Sequence, residues 1–326
     1  MALFDLPLQD LTRYLPERSE PSDFDRFWRT TLDDARRLRR PAELATNDSP
    51  LASVAVFDVA FSGHGGERVK GWLLLPSGRT ERVPCIVEYL GYGRGRGFPI
   101  EWLLWSALGY AHFIMDNRGQ AAQWGYGETP DSDTGPNPEY PGFLTRGLLD
   151  ANRYYYRRLI TDAVLAVDTV REHPAVDPDR IVLAGGSQGG GIALAAAALA
   201  GSVAGVLIDV PFMSHIRRAV EITDAHPYAE LREFLRMHRE KVERVFAVLD
   251  YFDGMNFAAR AHAPALFAVG LMDEICPPST VFAAYNHYAG PKEIRVWPYS
   301  GHEGGGVHQV HERIEFVRRL ASPAGG

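Results

Sequence analysis

The run Ile181-Val182-Leu183-Ala184-Gly185-Gly186-Ser187-Gln188-Gly189-Gly190-Gly191-Ile192-Ala193-Leu194-Ala195-Ala196-Ala197 decides the fold. Its aliphatic opening reads as a strand buried on both faces, a serine between glycines follows at once, and an Ala-rich helix begins directly after. A G-x-S-x-G placed between a strand and a helix is a nucleophile elbow: the turn is so tight that glycines must flank it, and it lifts Ser187 Oγ above the sheet. The helix N-terminus favours negative charge at the same place. The plainer reading, a small-residue turn that packs a helix on a strand, leaves the serine itself unexplained.

Outward from this run, short apolar stretches alternate with helical ones. Strands are expected at Cys85–Leu90, His112–Asp116, Arg180–Ala184, Gly205–Val210, Ala265–Gly270 and Ile294–Pro298, with helices at Trp102–Leu108, Leu159–His173, Gly190–Ala200 and Thr280–Tyr288. Repeated strand, crossover and strand means a mostly parallel central sheet flanked by helices, with a ligand beyond the C-terminal strand ends. Ser53–Phe61 and Arg68–Leu75 alternate around the turn signal Ser62–Gly66, which predicts a hairpin ahead of the parallel part. Before it, Ser22–Arg39 reads as a helix opened by a Ser cap, and Arg40–Pro50 as a linker. We expect one domain over residues 1–326, with an N-terminal extension to about residue 50 and insertions at about 117–158 and 213–263. The second carries the charged helical pattern AELREFLRMHREKVERVFAVL, and connections this long tend to cover a site or form an interface.

The 326 residues are 46% hydrophobic and 23% charged, which excludes disorder as the main state. With 34 basic against 41 acidic residues the net charge is -7, which argues against a nucleic-acid or anionic-membrane partner. Asn152-Arg153-Tyr154-Tyr155-Tyr156-Arg157-Arg158 mixes basic and aromatic residues but leads straight into an amphipathic helix, so packing is its expected role. Cys85 and Cys276 sit singly in apolar stretches, as in a reducing compartment, and their spacing fits no metal site. No basic residue precedes Arg13, and Asp5 interrupts any signal-like core, so a cytoplasmic location is expected. Ile192–Ile208 is apolar but contains Gly201, Ser202 and Gly205, and reads as a buried helix turning into a buried strand.

A serine hydroxyl needs an imidazole to take its proton and a carboxylate to orient that imidazole, in the chain order Ser, acid, His on a sheet of this kind. The strand ALFAVG is followed by Leu271-Met272-Asp273-Glu274, and the strand IRVWP by Tyr299-Ser300-Gly301-His302-Glu303, which makes Asp273 and His302 the candidates. Asp209, also at a strand end, is the rival acid, and Glu274 ranks behind it. Among the other histidines, His64 lies in a turn, His173 ends a helix, His215, His226 and His238 belong to the insertion, and His308 and His311 lie on the last helix. His112 opens a buried strand. An oxyanion needs two N–H donors, one from Gln188 directly after the nucleophile and one from the loop Leu90-Gly91-Tyr92-Gly93, where we choose Tyr92. The glycines of that loop do not make a dinucleotide motif, because its sixth position is Arg96 counted from Gly91 and Phe98 counted from Gly93. Arg118-Gly119-Gln120 is either a support for the floor of the site or a turn. This chemistry calls for no metal and no cofactor.

The segments RGQ at 118–120, GGSQGGG at 185–191, DVPF at 209–212, YFDGMNFAARAHAP at 251–264, GLMDEICPPST at 270–280 and AAYNHYAGPKEIRVWPYSGHEGG at 283–305 resemble the acetyl xylan esterase and cephalosporin C deacetylase family, carbohydrate esterase family 7. The likeness runs from about Pro21 to Leu320. It implies an α/β-hydrolase fold, Ser187, Asp273 and His302 as the catalytic residues, and Tyr92 and Gln188 as oxyanion donors. Gly91, Arg118, Gln120, Pro211 and Glu303 stand beside these groups as substrate-binding or site-supporting candidates. It also implies deacetylation of short xylo-oligosaccharides and of cephalosporin C without a metal, and a hexamer with its active sites facing an inner cavity.

Overall fold

Nine strands pair into a single sheet in the order β1-β2-β3-β5-β4-β6-β7-β8-β9 in a computed structural model that describes residues 3–133, 135 and 138–321. The strands are β1 (Glu43–Thr46), β2 (Val54–Ser62), β3 (Arg68–Pro76), β4 (Val83–Tyr89), β5 (Ala111–Met115), β6 (Val176–Gly186), β7 (Gly205–Asp209), β8 (Ala265–Gly270) and β9 (Lys292–Trp297). The pairs β1–β2, β2–β3 and β3–β5 are antiparallel, and the remaining pairs are parallel. The expected hairpin is β2 and β3. Arg40–Pro50, expected as a linker, instead contains β1, an edge strand whose four residues are all exposed and therefore carry no burial alternation to read.

Helices cover both faces: α1 (Leu8–Leu11), α2 (Phe24–Arg37), α3 (Leu103–Ala107), α4 (Tyr155–Arg171), α5 (Gln188–Leu199), α6 (Ile216–Ile222), α7 (Tyr228–Met237), α8 (Val242–Leu249), α9 (Gly254–Ala258), α10 (Pro278–His287) and α11 (Gly306–Ala321). The period of two along β4 shows the layering. Cys85, Val87 and Tyr89 point into the large core with α4 and α5, while Ile86 joins Trp105, Phe316 and Val317 on the face carried by α3 and α11. Apart from its polar outer stripe, α2 buries Phe24, Trp28, Leu32 and Ala35 at helical spacing, and Trp28 Nε1 donates to the Tyr251 carbonyl at 3.0 Å. The expected Ser22 cap is absent: the helix starts at Phe24, and the Asp23 carboxylate instead accepts from Arg26 and from the Tyr251 hydroxyl.

The charged pattern of the second insertion is two helices, not one. α7 ends at Met237, His238 leaves helical geometry (φ -120°, ψ 59°), and a 3₁₀ turn leads into α8. The chain passes from β4 to β5 on one side of the sheet and returns to β6 on the other, so the C-terminal ends of β4 and β6 flank a crevice. The pair Tyr89↔Gly185 sets the loop after β4 beside the turn after β6. Among the described residues, no helix is long and apolar enough to cross a membrane.

Candidate active site

Ser187 sits between β6 and α5 with φ 57° and ψ -123°, a region a side-chain-bearing residue adopts only when its surroundings force it. Three backbone bonds hold it there: the Ser187 N–H donates to the Asp209 carbonyl at 2.9 Å, and its own carbonyl accepts from Phe212 at 3.0 Å and Gly191 at 3.1 Å. The flanking glycines are steric necessities. A Cβ on Gly185 would lie 2.2 Å from Gly189, and one on Gly189 would lie 2.1 Å from the Tyr89 carbonyl oxygen.

His302 follows β9 as expected, and its Nδ1 lies 2.9 Å from Asp273 Oδ2. Asp273 is fully buried, and its second oxygen accepts from the N–H groups of Ile275 at 2.8 Å and Cys276 at 2.9 Å. A carboxylate fixed in this way orients the imidazole and stabilises its charged form. Ser187 and His302 line one open cleft of about 1260 Å³, together with Gly91, Tyr92, Trp102, Trp124, Tyr140 and Ile275. Burial holds the proton of the Cys276 thiol far more tightly than usual, and the Ser187 side chain works weakly in the opposite direction. An Asp273 oxygen, the Cys276 sulfur and a His302 ring nitrogen lie within 4.8 Å of one another, the one metal-competent grouping among the described residues.

The rivals are placed elsewhere. The Asp209 carboxylate accepts from Gln309 at 2.8 Å and lies 3.6 Å from Arg313, and burial raises its pKa despite that cation. Glu274 has a buried Oε1 without a hydrogen-bond partner. His112 is satisfied in the core by Glu88 at 2.9 Å and by the Trp102 carbonyl at 3.0 Å; burial opposes the Glu88 charge, but Arg313 and His112 hold its pKa down to about 2. His226, set aside on sequence because it belongs to the insertion, does line the cleft.

The aim of the Tyr92 N–H follows from peptide planarity. The Gly91 carbonyl accepts from Asn117 Nδ2 at 3.1 Å and Gln188 Nε2 at 3.3 Å, and in a trans peptide the Tyr92 N–H must point the opposite way, away from these buried donors. Neither the Tyr92 nor the Gln188 N–H has a partner among the described residues. Gln120 completes the floor: its Oε1 accepts from the Gly93 N–H at 2.6 Å, and its Nε2 donates to Tyr155 at 2.9 Å and to Gln188 at 3.0 Å. Arg118 does not line the cleft. It is buried beneath, paired with Asp162 at 2.5 Å and Glu67 at 2.7 Å, while its carbonyl accepts from the Tyr155 hydroxyl at 2.6 Å. Burial works against its charge, but these carboxylates keep it protonated. Glu303 accepts from the Gly301 N–H at 3.2 Å and steadies the His302 turn, and Pro211 lies in the loop that a Cβ on Gly190 would strike. Asn117 was not singled out from the sequence; its position directly before Arg118-Gly119-Gln120 was the available signal.

This sheet order, with a strained serine after β6 and a carboxylate-bound histidine after β9, is the architecture of the α/β-hydrolases. A family model described as acetyl xylan esterase (AXE1) matches residues 1–320, and the chain belongs to that family of carboxylic ester hydrolases. An acetyl xylan esterase from Paenibacillus sp. R4 is 40% identical, with a TM-score of 0.89 over 96% of this chain and 99% of that one. Acetyl xylan esterase 1 from Thermoanaerobacterium sp. JW/SL YS485 is 34% identical, with a TM-score of 0.89 over 98% and 100%. The acetyl esterase Axe7A of Xylanibacter ruminicola is 26% identical over 296 residues, 88% of this chain and 64% of that protein, so the chain spans under two thirds of that relative's length.

Proposed function

We propose that the protein is a serine esterase that removes acetyl groups from acetylated xylo-oligosaccharides and similar small acetyl esters, including cephalosporin C. The observation that carries the reading is the meeting in one cleft of Ser187 on its strained turn, His302 held by buried Asp273, and Tyr92, with the Gln188 N–H directly after the serine; neither the Tyr92 nor the Gln188 N–H has a partner among the described residues. His302 takes the Ser187 proton as Oγ attacks the acetyl carbonyl, Asp273 stabilises the imidazolium, and the two N–H groups hold the oxyanion. The sugar alcohol leaves with the proton from His302. Water, deprotonated by the same imidazole, then releases acetate and restores Ser187. Trp102, Trp124 and Tyr140 line the cleft and supply aromatic surface for contact with a sugar. Family membership supports the acetylated-xylan substrate. On the family likeness we also propose a hexamer, to be weighed by light scattering, and on the two free, buried cysteines a cytoplasmic location.

The test is hydrolysis of p-nitrophenyl acetate, longer-acyl p-nitrophenyl esters, acetylated xylose and cephalosporin C by the wild type and by Ser187→Ala. The expected result is acetate release from the acetyl substrates that fades with acyl length and disappears in the variant. Equal turnover of long acyl chains would make it a general carboxylesterase, and turnover that survives Ser187→Ala would sink the serine mechanism.

A further inference from the structure

Three distant stretches of chain meet at the Tyr92 side chain. Its hydroxyl donates to Glu230 Oε1 at 2.6 Å and accepts from the N–H groups of Gly142 at 3.2 Å and Phe143 at 2.8 Å. The second oxygen of Glu230 accepts from the Leu144 N–H at 3.2 Å. The ring itself stands edge-on to Phe143 and Phe212, at centroid distances of 5.3 and 6.2 Å. Glu230 thus closes a hydrogen-bonded ring joining α7, the strip 142–144 and the loop after β4, and it also lines the cleft. Donor counting shows why a carboxylate stands there. One phenol hydrogen and one peptide N–H converge on residue 230, two acceptors are required, and an amide would supply one acceptor and oppose the other donor with its own hydrogens.

The side-chain amides of Asn117 and Gln188 hold the Gly91–Tyr92 peptide from one side only, through the Gly91 carbonyl. We propose that Glu230 is a positioning residue for ester hydrolysis: by tethering the Tyr92 phenol it supplies the second restraint that keeps the Tyr92 N–H aimed at the oxyanion. The two long insertions, one carrying Glu230 and the other Gly142–Leu144, thereby set the geometry of a donor that neither contains. This rests on the assignment of the Tyr92 N–H as an oxyanion donor.

A double-mutant cycle tests it, with kcat and KM for p-nitrophenyl acetate measured in the wild type, Glu230→Ala, Tyr92→Phe and the double variant. Since loss of a whole oxyanion donor costs about a hundredfold or more, a donor left in place but poorly aimed should lower kcat by about tenfold. KM should stay within about twofold, because the restraint acts on the transition state. The double variant should fall no further than the worse single one, and Glu230→Gln should lie between wild type and Glu230→Ala. Losses that multiply, or a rise in KM at unchanged kcat, would overturn the proposal. If circular dichroism shows Glu230→Ala unfolded, Glu230→Gln and Tyr92→Phe complete the same cycle. Ser187→Ala separates the two levels: Ser187-dependent turnover with an additive cycle defeats the positioning role alone, whereas no Ser187-dependent turnover defeats both.

Discussion

A side-chain-bearing residue in a left-handed backbone conformation is stored strain, and at Ser187, the proposed nucleophile, that strain is held by three backbone hydrogen bonds and by the absence of side chains on the neighbouring glycines. At this scale the division of labour between Asp273 and His302 makes a direct prediction. Asp273→Asn keeps the shape but presents an N–H or a weak acceptor to the imidazole, which favours the wrong tautomer, so kcat should fall by about a thousandfold or more with the fold intact by circular dichroism. The catalytic candidates were legible in the sequence because each stands directly after a strand, where a sheet of this kind exposes side chains. Asn117 and Glu230 were not. The Tyr92–Glu230 bond spans 138 positions, and no local pattern marks the two ends of such a contact.

Elements here are placed by close backbone approach. The Ala-rich α5 can lie against β4 and β6 because Gly189 brings its first turn within a Cβ's reach of the Tyr89 carbonyl. Gly189→Ala should therefore destabilise the protein by about 2–4 kcal/mol, read by urea unfolding, and should lower activity by displacing the elbow. Below the oxyanion floor, Arg118 ties the hairpin residue Glu67 to Asp162 on α4. Removing the cation in Arg118→Met leaves the buried Asp162 carboxylate without its partner, and a loss of about 3–5 kcal/mol in the same experiment is expected. On sequence alone Arg118-Gly119-Gln120 reads as either a turn or a support. It is both, with Gly119 in the left-handed region (φ 67°) and the flanking side chains bonded in opposite directions. The exposed strand β1 and the break at His238 escaped detection for opposite reasons: the first buries nothing, and the second interrupts a helical pattern without proline or glycine.

For the whole molecule, histidines held neutral by their surroundings set a limit on acid stability. Burial, with Arg118, Arg157 and Arg158 nearby, lowers the His64 pKa to about 4; burial and Arg218 lower His215 to about 4. The unfolded chain binds these protons near pH 6.5, so it takes them up first as the pH falls. The contribution of these two groups is fully present above pH 6.5 and is lost towards pH 4, by at most about 3 kcal/mol each and less because solvent reaches both rings. Calorimetry between pH 7 and pH 4.5 should show Tm falling across this window, with a shallower fall in His64→Gln.

By itself the sequence determined the alternation of strands and helices, the tight turn at Ser187, and the chain order in which the proposed acid and base follow it, because periodicity and position after a strand are local properties written in neighbouring residues. Tertiary structure alone decided which carboxylate reaches His302. Asp209 and Asp273 both end strands, but the pleat and the neighbouring helix turn Asp209 towards Gln309 and Arg313, while the loop amides at Ile275 and Cys276 aim Asp273 at the imidazole. It also decided the aim of the Tyr92 N–H, since the orientation of a peptide plane depends on what holds its carbonyl and its side chain. Here those partners are Asn117, Gln188 and Glu230, which only folding brings to one place.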